Sequence, residues 1–101
     1  MNNKGMMKQL LQMQKELKKT QKELEKDTVT GVAGDGIVEV VLTGTQKFHA
    51  VKLDKKQIES ISTAELEKMI GVAIKDALNK SRKLMADKLG PLGGGMPGMK
   101  P

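Results

Sequence analysis

Thr28-Val29-Thr30-Gly31-Val32-Ala33, Ile37-Val38-Glu39-Val40-Val41-Leu42-Thr43 and Lys47-Phe48-His49-Ala50-Val51-Lys52-Leu53 are three runs rich in β-branched residues. Their separators decide the fold. Gly34-Asp35-Gly36 parts the first two and Gly44-Thr45-Gln46 the second two. Asp-Gly readily adopts the positive φ that a tight hairpin demands, so the stretch predicts a three-stranded antiparallel meander. Val38, Val40 and Leu42 fall on one face, as do Val51 and Leu53 of the third strand. The other face still carries Ile37, Val41, Phe48 and Ala50. Both faces are partly apolar, more than the helices of one protomer would cover.

Upstream the period changes from two to three and a half. Met6, Leu10, Met13, Leu17 and Leu24, with Thr20 filling the missing step, form an a/d heptad seam over residues 6–26. On a helical wheel the seam spans only about 60°, narrower than a core-facing helix ordinarily shows. These five residues are the candidate dimer interface.

Downstream, residues 54–61 read as a connection with room for one helical turn. Ser62-Thr63-Ala64-Glu65 matches a capping box, with Ser62 as N-cap and Glu65 reaching back. A helix follows to Leu89, where Gly90-Pro91 stops it. From Ser62 it would run roughly 42 Å at ~1.5 Å per residue. A compact chain of this size has a radius of gyration near ~13 Å, so the helix should protrude and the molecule be elongated. Gly71 inside it costs about 1 kcal/mol relative to Ala. Either another backbone approaches there or the cost is tolerated. The fold class is thus α+β, with one domain over residues 1–92 and a flexible Gly/Met/Pro tail over 93–101.

Composition narrows function. In 101 residues there is one aromatic, Phe48, and no cysteine. Aliphatics and eight methionines leave a thin core, unsuited to a deep small-molecule pocket and suited to sharing with a second copy. Disulfide scaffolds, cysteine-type zinc sites and thiol catalysis are all excluded. The longest uncharged apolar run, residues 69–74, is far below the ~20 residues of a membrane span, and the charged start has no signal-like core. The chain reads as soluble and unexported.

The net charge is +6, and its placement is uneven. Residues 1–27 carry seven lysines against four acids, residues 28–61 four against four, and residues 62–101 seven Lys/Arg against four. All of the excess therefore lies in the two helical ends. Lys8, Lys15, Lys19, Lys22 and Lys26 fall within about 60° on the first helix, diametrically opposite the apolar seam. Lys68, Lys75 and Arg82, with Asn79 and Lys83 alongside, form an acid-free stripe on the second, opposite Leu66, Ala73, Ala77 and Leu84.

A solvated polar face is the bland explanation. Such faces usually mix signs, because Glu/Lys pairs at i,i+4 add about 0.2–0.5 kcal/mol each. Here Lys15/Lys19, Lys18/Lys22 and Lys22/Lys26 set like charges at that spacing. Two helices with the same self-repelling pattern point to cationic ridges for a polyanion. A single aromatic provides no stacking platform for single strands. One arginine is a poor complement of base readers, so the lysines suit phosphates. Double-stranded DNA bound with little sequence preference fits best. Anionic membrane fits worse, since neither basic helix carries Trp or Phe anchors.

Other candidates carry little. His49 is the only histidine and sits in a strand, which removes triads and multi-histidine metal sites. Gly31-x-x-Gly34-x-Gly36 joins strand to strand without a following helix or Lys-Ser/Thr, and reads as a hairpin turn. Met96 and Met99 could hold Cu(I), but tail filler explains them. Glu65/Glu67 suit a helix start rather than acid–base chemistry. No catalytic residue, cofactor, metal or small-molecule substrate is implied.

The order helix, three strands, long helix and Gly-rich tail resembles the YbaB/EbfC family of nucleoid-associated proteins over essentially the whole chain. The likeness is carried by Gly34-Asp35-Gly36 before Val38, by Ala73-x-x-Asp76-Ala77-x-x-Lys80, and by Met96-Pro97-Gly98. Lys75 departs from the Asn expected in the family and adds a cation. The resemblance implies a cytoplasmic, tweezer-like homodimer that binds DNA in the nucleoid and alters its conformation. It also implies roles in nucleoid organisation and gene expression. The competing class is a coiled-coil adaptor whose DNA affinity is incidental to its charge.

Overall fold

The computed structural model describes residues 3–90; the predicted tail at 93–101 and the end of the 1–92 domain lie outside them. Helix α1 spans Asn3–Lys26, strands β1, β2 and β3 span Thr28–Ala33, Val38–Thr43 and Phe48–Leu53, and helix α2 spans Thr63–Leu89. A short 3-10 turn at Gln57–Ser60 occupies the expected connection, its start held by the Asp54 carboxylate, which accepts from the backbone N–H groups of Lys56 and Gln57. No described helix is long and apolar enough to cross a membrane.

The strands form an antiparallel sheet in the order β1-β2-β3. In the first hairpin Gly34, Asp35 and Gly36 all adopt positive φ, at 60°, 56° and 95°. That is the conformation for which Asp-Gly was read. The second turn places Gln46 at φ 67° and is tied by the Thr43 N–H to the Lys47 carbonyl at 2.8 Å. A register shift beside Val41/Leu42 pairs Ala50 with Val41 but Phe48 with Leu42, leaving His49 as the extra residue. Phe48, Val51 and Leu53 are thereby opposite Leu42, Val40 and Val38 on the α2 side of the sheet.

Helix α2 starts as expected, with the Ser62 hydroxyl accepting from the Glu65 N–H at 3.1 Å. Among the described residues no hydrogen bond returns from the Glu65 carboxylate, so only half of the capping box forms. At the other end Gly90 remains right-handed, at φ −53°, rather than closing the helix in the left-handed conformation. Gly71 faces open space: a Cβ there would meet nothing within 4 Å. Among the described residues of the protomer, no backbone approaches it.

The core is small and one-sided. Ala73 and Ala77 lie fully buried against Val38, Val40, Leu42 and Ala33, with Leu66, Met69, Ile70 and Leu78 around them. Small alanines let α2 sit directly on β1, and the buried Ser81 hydroxyl donates to the Thr43 carbonyl at 2.9 Å. Helix α2 covers β1 and β2 but not β3, where Phe48 stays 66 % exposed. The sequence reading put Phe48 on the other face with Val41; the register shift moves it to the α2 side, where α2 does not reach it, while Val41 is buried.

The outer edge of β1 is closed by side chains of α2. The Val32 N–H donates to Asp76 Oδ2 at 3.0 Å, and Lys80 Nζ donates to the Thr30 carbonyl at 2.9 Å. Lys80 and Asp76 also pair at 3.1 Å. An unpaired strand edge is otherwise a template for unwanted association. The Val32 N–H, and secondarily the Lys80 ammonium, hold the Asp76 carboxyl below its ordinary value of 3.8. A lowered carboxyl contributes stability that is complete above the ordinary value and is lost as pH falls through the lowered one. The Val32 amide resonance should therefore titrate with a midpoint below that of an ordinary aspartate, and an Asp76→Asn variant should abolish that titration.

Candidate nucleic-acid interface

The molecule measures 71 × 26 × 16 Å, because α1 continues outward from the sheet rather than folding back on it. Every described side chain from Lys4 to Lys19 is exposed. Met6, Leu10, Met13 and Leu17, four of the five predicted seam residues, are therefore uncovered along one line of the arm. The fifth differs. Leu24 is 2 % exposed and packs within the protomer against the Gly44 turn, whose missing side chain makes room for it. Leu24 continues the same line of the helix, but within the protomer the Gly44 turn covers it, so it is not part of the open seam.

Lys8, Lys15, Lys19, Lys22 and Lys26 are exposed on α1, and Lys68, Lys75, Arg82 and Lys83 on α2. On α2 the buried residues Ala73, Ala77 and Ser81 define the inner face, and the Lys68/Lys75/Arg82 stripe lies on the outer one. Arg82 reaches the neighbouring Asn79 Oδ1 at 3.5 Å. Among the described residues the cations in ion pairs are Lys80 and Lys88, neither of which belongs to the ridges. His49 is exposed on β3, and no described group of three or more His, Cys, Asp or Glu could hold a metal ion.

Lys88 was not singled out by the sequence. Its Nζ lies 2.9 Å from Asp27 Oδ2 and 3.4 Å from Glu23 Oε1. The hydrogen bond to Asp27 is the main reason its ammonium is held above the ordinary 10.5, against a smaller opposing contribution from desolvation. No local signal marks this contact, because 65 positions separate Lys88 from Glu23.

Fold and charge together define a class: small, basic, elongated proteins with cationic faces on two long helices. Comparison with known proteins makes it specific. The chain belongs to the YbaB/EbfC DNA-binding family, whose model matches residues 1–96. It is 37 % identical to a nucleoid-associated protein of Dictyoglomus turgidum, covering 90 % of this chain and 88 % of that one. With a nucleoid-associated protein of Rhodospirillum centenum it shares 42 % identity over 99 % of this chain and 97 % of the relative. The crystal structure of an uncharacterized Helicobacter pylori protein shares the fold, with TM-score 0.62 and 19 % identity over 92 % and 94 % of the two chains.

Proposed function

We propose that the protein binds double-stranded DNA in the nucleoid as a homodimer, with little sequence preference, through the outer faces of α1 and α2. Binding changes the conformation of the duplex and so contributes to nucleoid organisation and gene expression. One observation carries this reading: nine cations stand exposed and free of ion pairs among the described residues, on helix faces turned away from the apolar ones. Many separate modest cations suit regularly spaced phosphates better than one pocket would. Family membership supports DNA as the polyanion and gives the adaptor alternative no support.

Dimerisation is favoured by the arm. An isolated helix is marginal in water, and α1 exposes its apolar seam over about three turns. A second copy would cover that seam and the uncovered face of β3. Titration of duplex DNA at several salt concentrations, with the mass measured in solution, tests the whole reading. The expected result is a species of twice the 11.0 kDa chain mass whose affinity falls linearly on a log–log salt plot. Leu10→Lys with Leu17→Lys should weaken or abolish the dimer in equilibrium sedimentation. A compact wild-type monomer at micromolar concentration would overturn the homodimer.

A further inference from the structure

Helix α1 meets the body of the protomer at its C-terminal end. Among its described residues Leu24 is the one buried side chain, seated over the Gly44 turn, and the Gly44 N–H donates to the Asp27 carbonyl at 2.9 Å. A single hydrophobic seat beside the chain connection anchors the end of the helix but does not, within one protomer, set its direction. A second, off-axis attachment does so before any pairing of the arms in the proposed homodimer. Lys88, in the last turn of α2, provides it by bridging Glu23 and Asp27 at 3.4 and 2.9 Å.

The leverage is large. Sixteen residues separate Leu24 from Lys8, about 24 Å of helix at ~1.5 Å each. A swing of about 20° would carry Lys8 roughly 8 Å sideways, more than two phosphate steps of ~3.4 Å along one strand. We infer that Lys88 is a positioning residue for DNA binding, a clasp that sets the direction of the α1 ridge relative to the α2 ridge and does not itself contact phosphate. The inference rests on the proposal that these ridges bind DNA. Exposed ion pairs contribute little to stability, so losing the clasp should leave the fold itself intact.

Asp27→Asn separates this role from simple charge. It removes an acid from each protomer, so charge alone predicts tighter DNA binding. A broken clasp predicts weaker binding. Because the chain has no cysteine, spin labels can be placed at Gln9→Cys on the arm and Glu67→Cys on α2, with labelled chain diluted into excess unlabelled chain. In wild type and Lys88→Arg the label separation should be narrowly distributed. Asp27→Asn and Lys88→Gln should broaden it, leave the melting temperature within a few degrees of wild type, and lower affinity for unrelated duplexes about three- to tenfold. Tighter binding by Asp27→Asn, or an unchanged distance distribution, overturns the inference while DNA binding itself stands. Failure of wild type to bind duplex at any salt would instead overturn the DNA reading, and this inference with it.

Discussion

With Lys75 and Arg82 both changed to Gln, the slope of log K against log[salt] for duplex DNA should become shallower by roughly 3 to 4. Each phosphate neutralised contributes about 0.9 to that slope, and the proposed homodimer would lose four cations, all four contacting phosphate under that proposal. Both side chains are exposed on the outer face of α2 and, among the described residues, free of ion pairs, so phosphate competes only with the 3.5 Å bond from Arg82 to Asn79. The same exposure keeps stability within about 0.5 kcal/mol of wild type. Affinity should fall by a similar factor on unrelated sequences, because phosphate contacts position a protein without reading bases. Lys55→Gln with Lys56→Gln is the matched control, removing equal charge from exposed positions off the ridges. If that control reduces the slope and affinity as much, net charge alone accounts for binding and the ridges have no special role.

Gly31→Ala should have the largest effect on folding. A Cβ at Gly31 would stand 2.1 Å from the Ala73 carbonyl oxygen, 2.3 Å from the Ala77 backbone nitrogen and 2.7 Å from the Ala77 Cβ. Two of these three atoms are backbone in the middle of α2, so no rotamer change relieves the clash. The helix must lift from the strand, and the Asp76 and Lys80 bonds to Val32 and Thr30 flank the very point where it would lift. Overpacking commonly costs 1–3 kcal/mol, and a backbone obstruction should reach about 3 kcal/mol or more. For a domain of this size that lowers the melting temperature by roughly 12 °C or more. Gly71→Ala gives the contrast. With nothing within 4 Å and a mid-helix position, Ala should stabilise by about 0.5–1 kcal/mol through helix propensity. Destabilisation or loss of the dimer there would mean instead that a second copy's backbone approaches Gly71.

Much of the candidate site was legible because it is a property of single helices. The lysines of α1 lie opposite Met6, Leu10, Met13 and Leu17 by periodicity alone, and both sets are exposed where the wheel put them. What periodicity could not do was sort cations by employment. Asp76 and Lys80 have the i,i+4 spacing of an ordinary helix-surface pair, yet both reach across to β1, 44 and 50 positions away. Lys88 looks like one more basic residue near a helix end until Glu23 and Asp27 are brought beside it.

By itself the sequence determined the element order, the two turns, the Ser62 cap, and the polarity of each helix. All of these are set by interactions between residues a few positions apart, where backbone conformation and side-chain spacing suffice. Only the tertiary structure decided that Leu24 is spent inside the protomer, that β3 is left bare, and that β1 is closed by Asp76 and Lys80. It alone also decided that the arm is clasped by Lys88. Those outcomes depend on where α2 comes to rest on the sheet. Gly31, Ala73 and Ala77 fix that position through the close backbone approach they permit, and that approach joins segments too distant in sequence for any periodic pattern to encode.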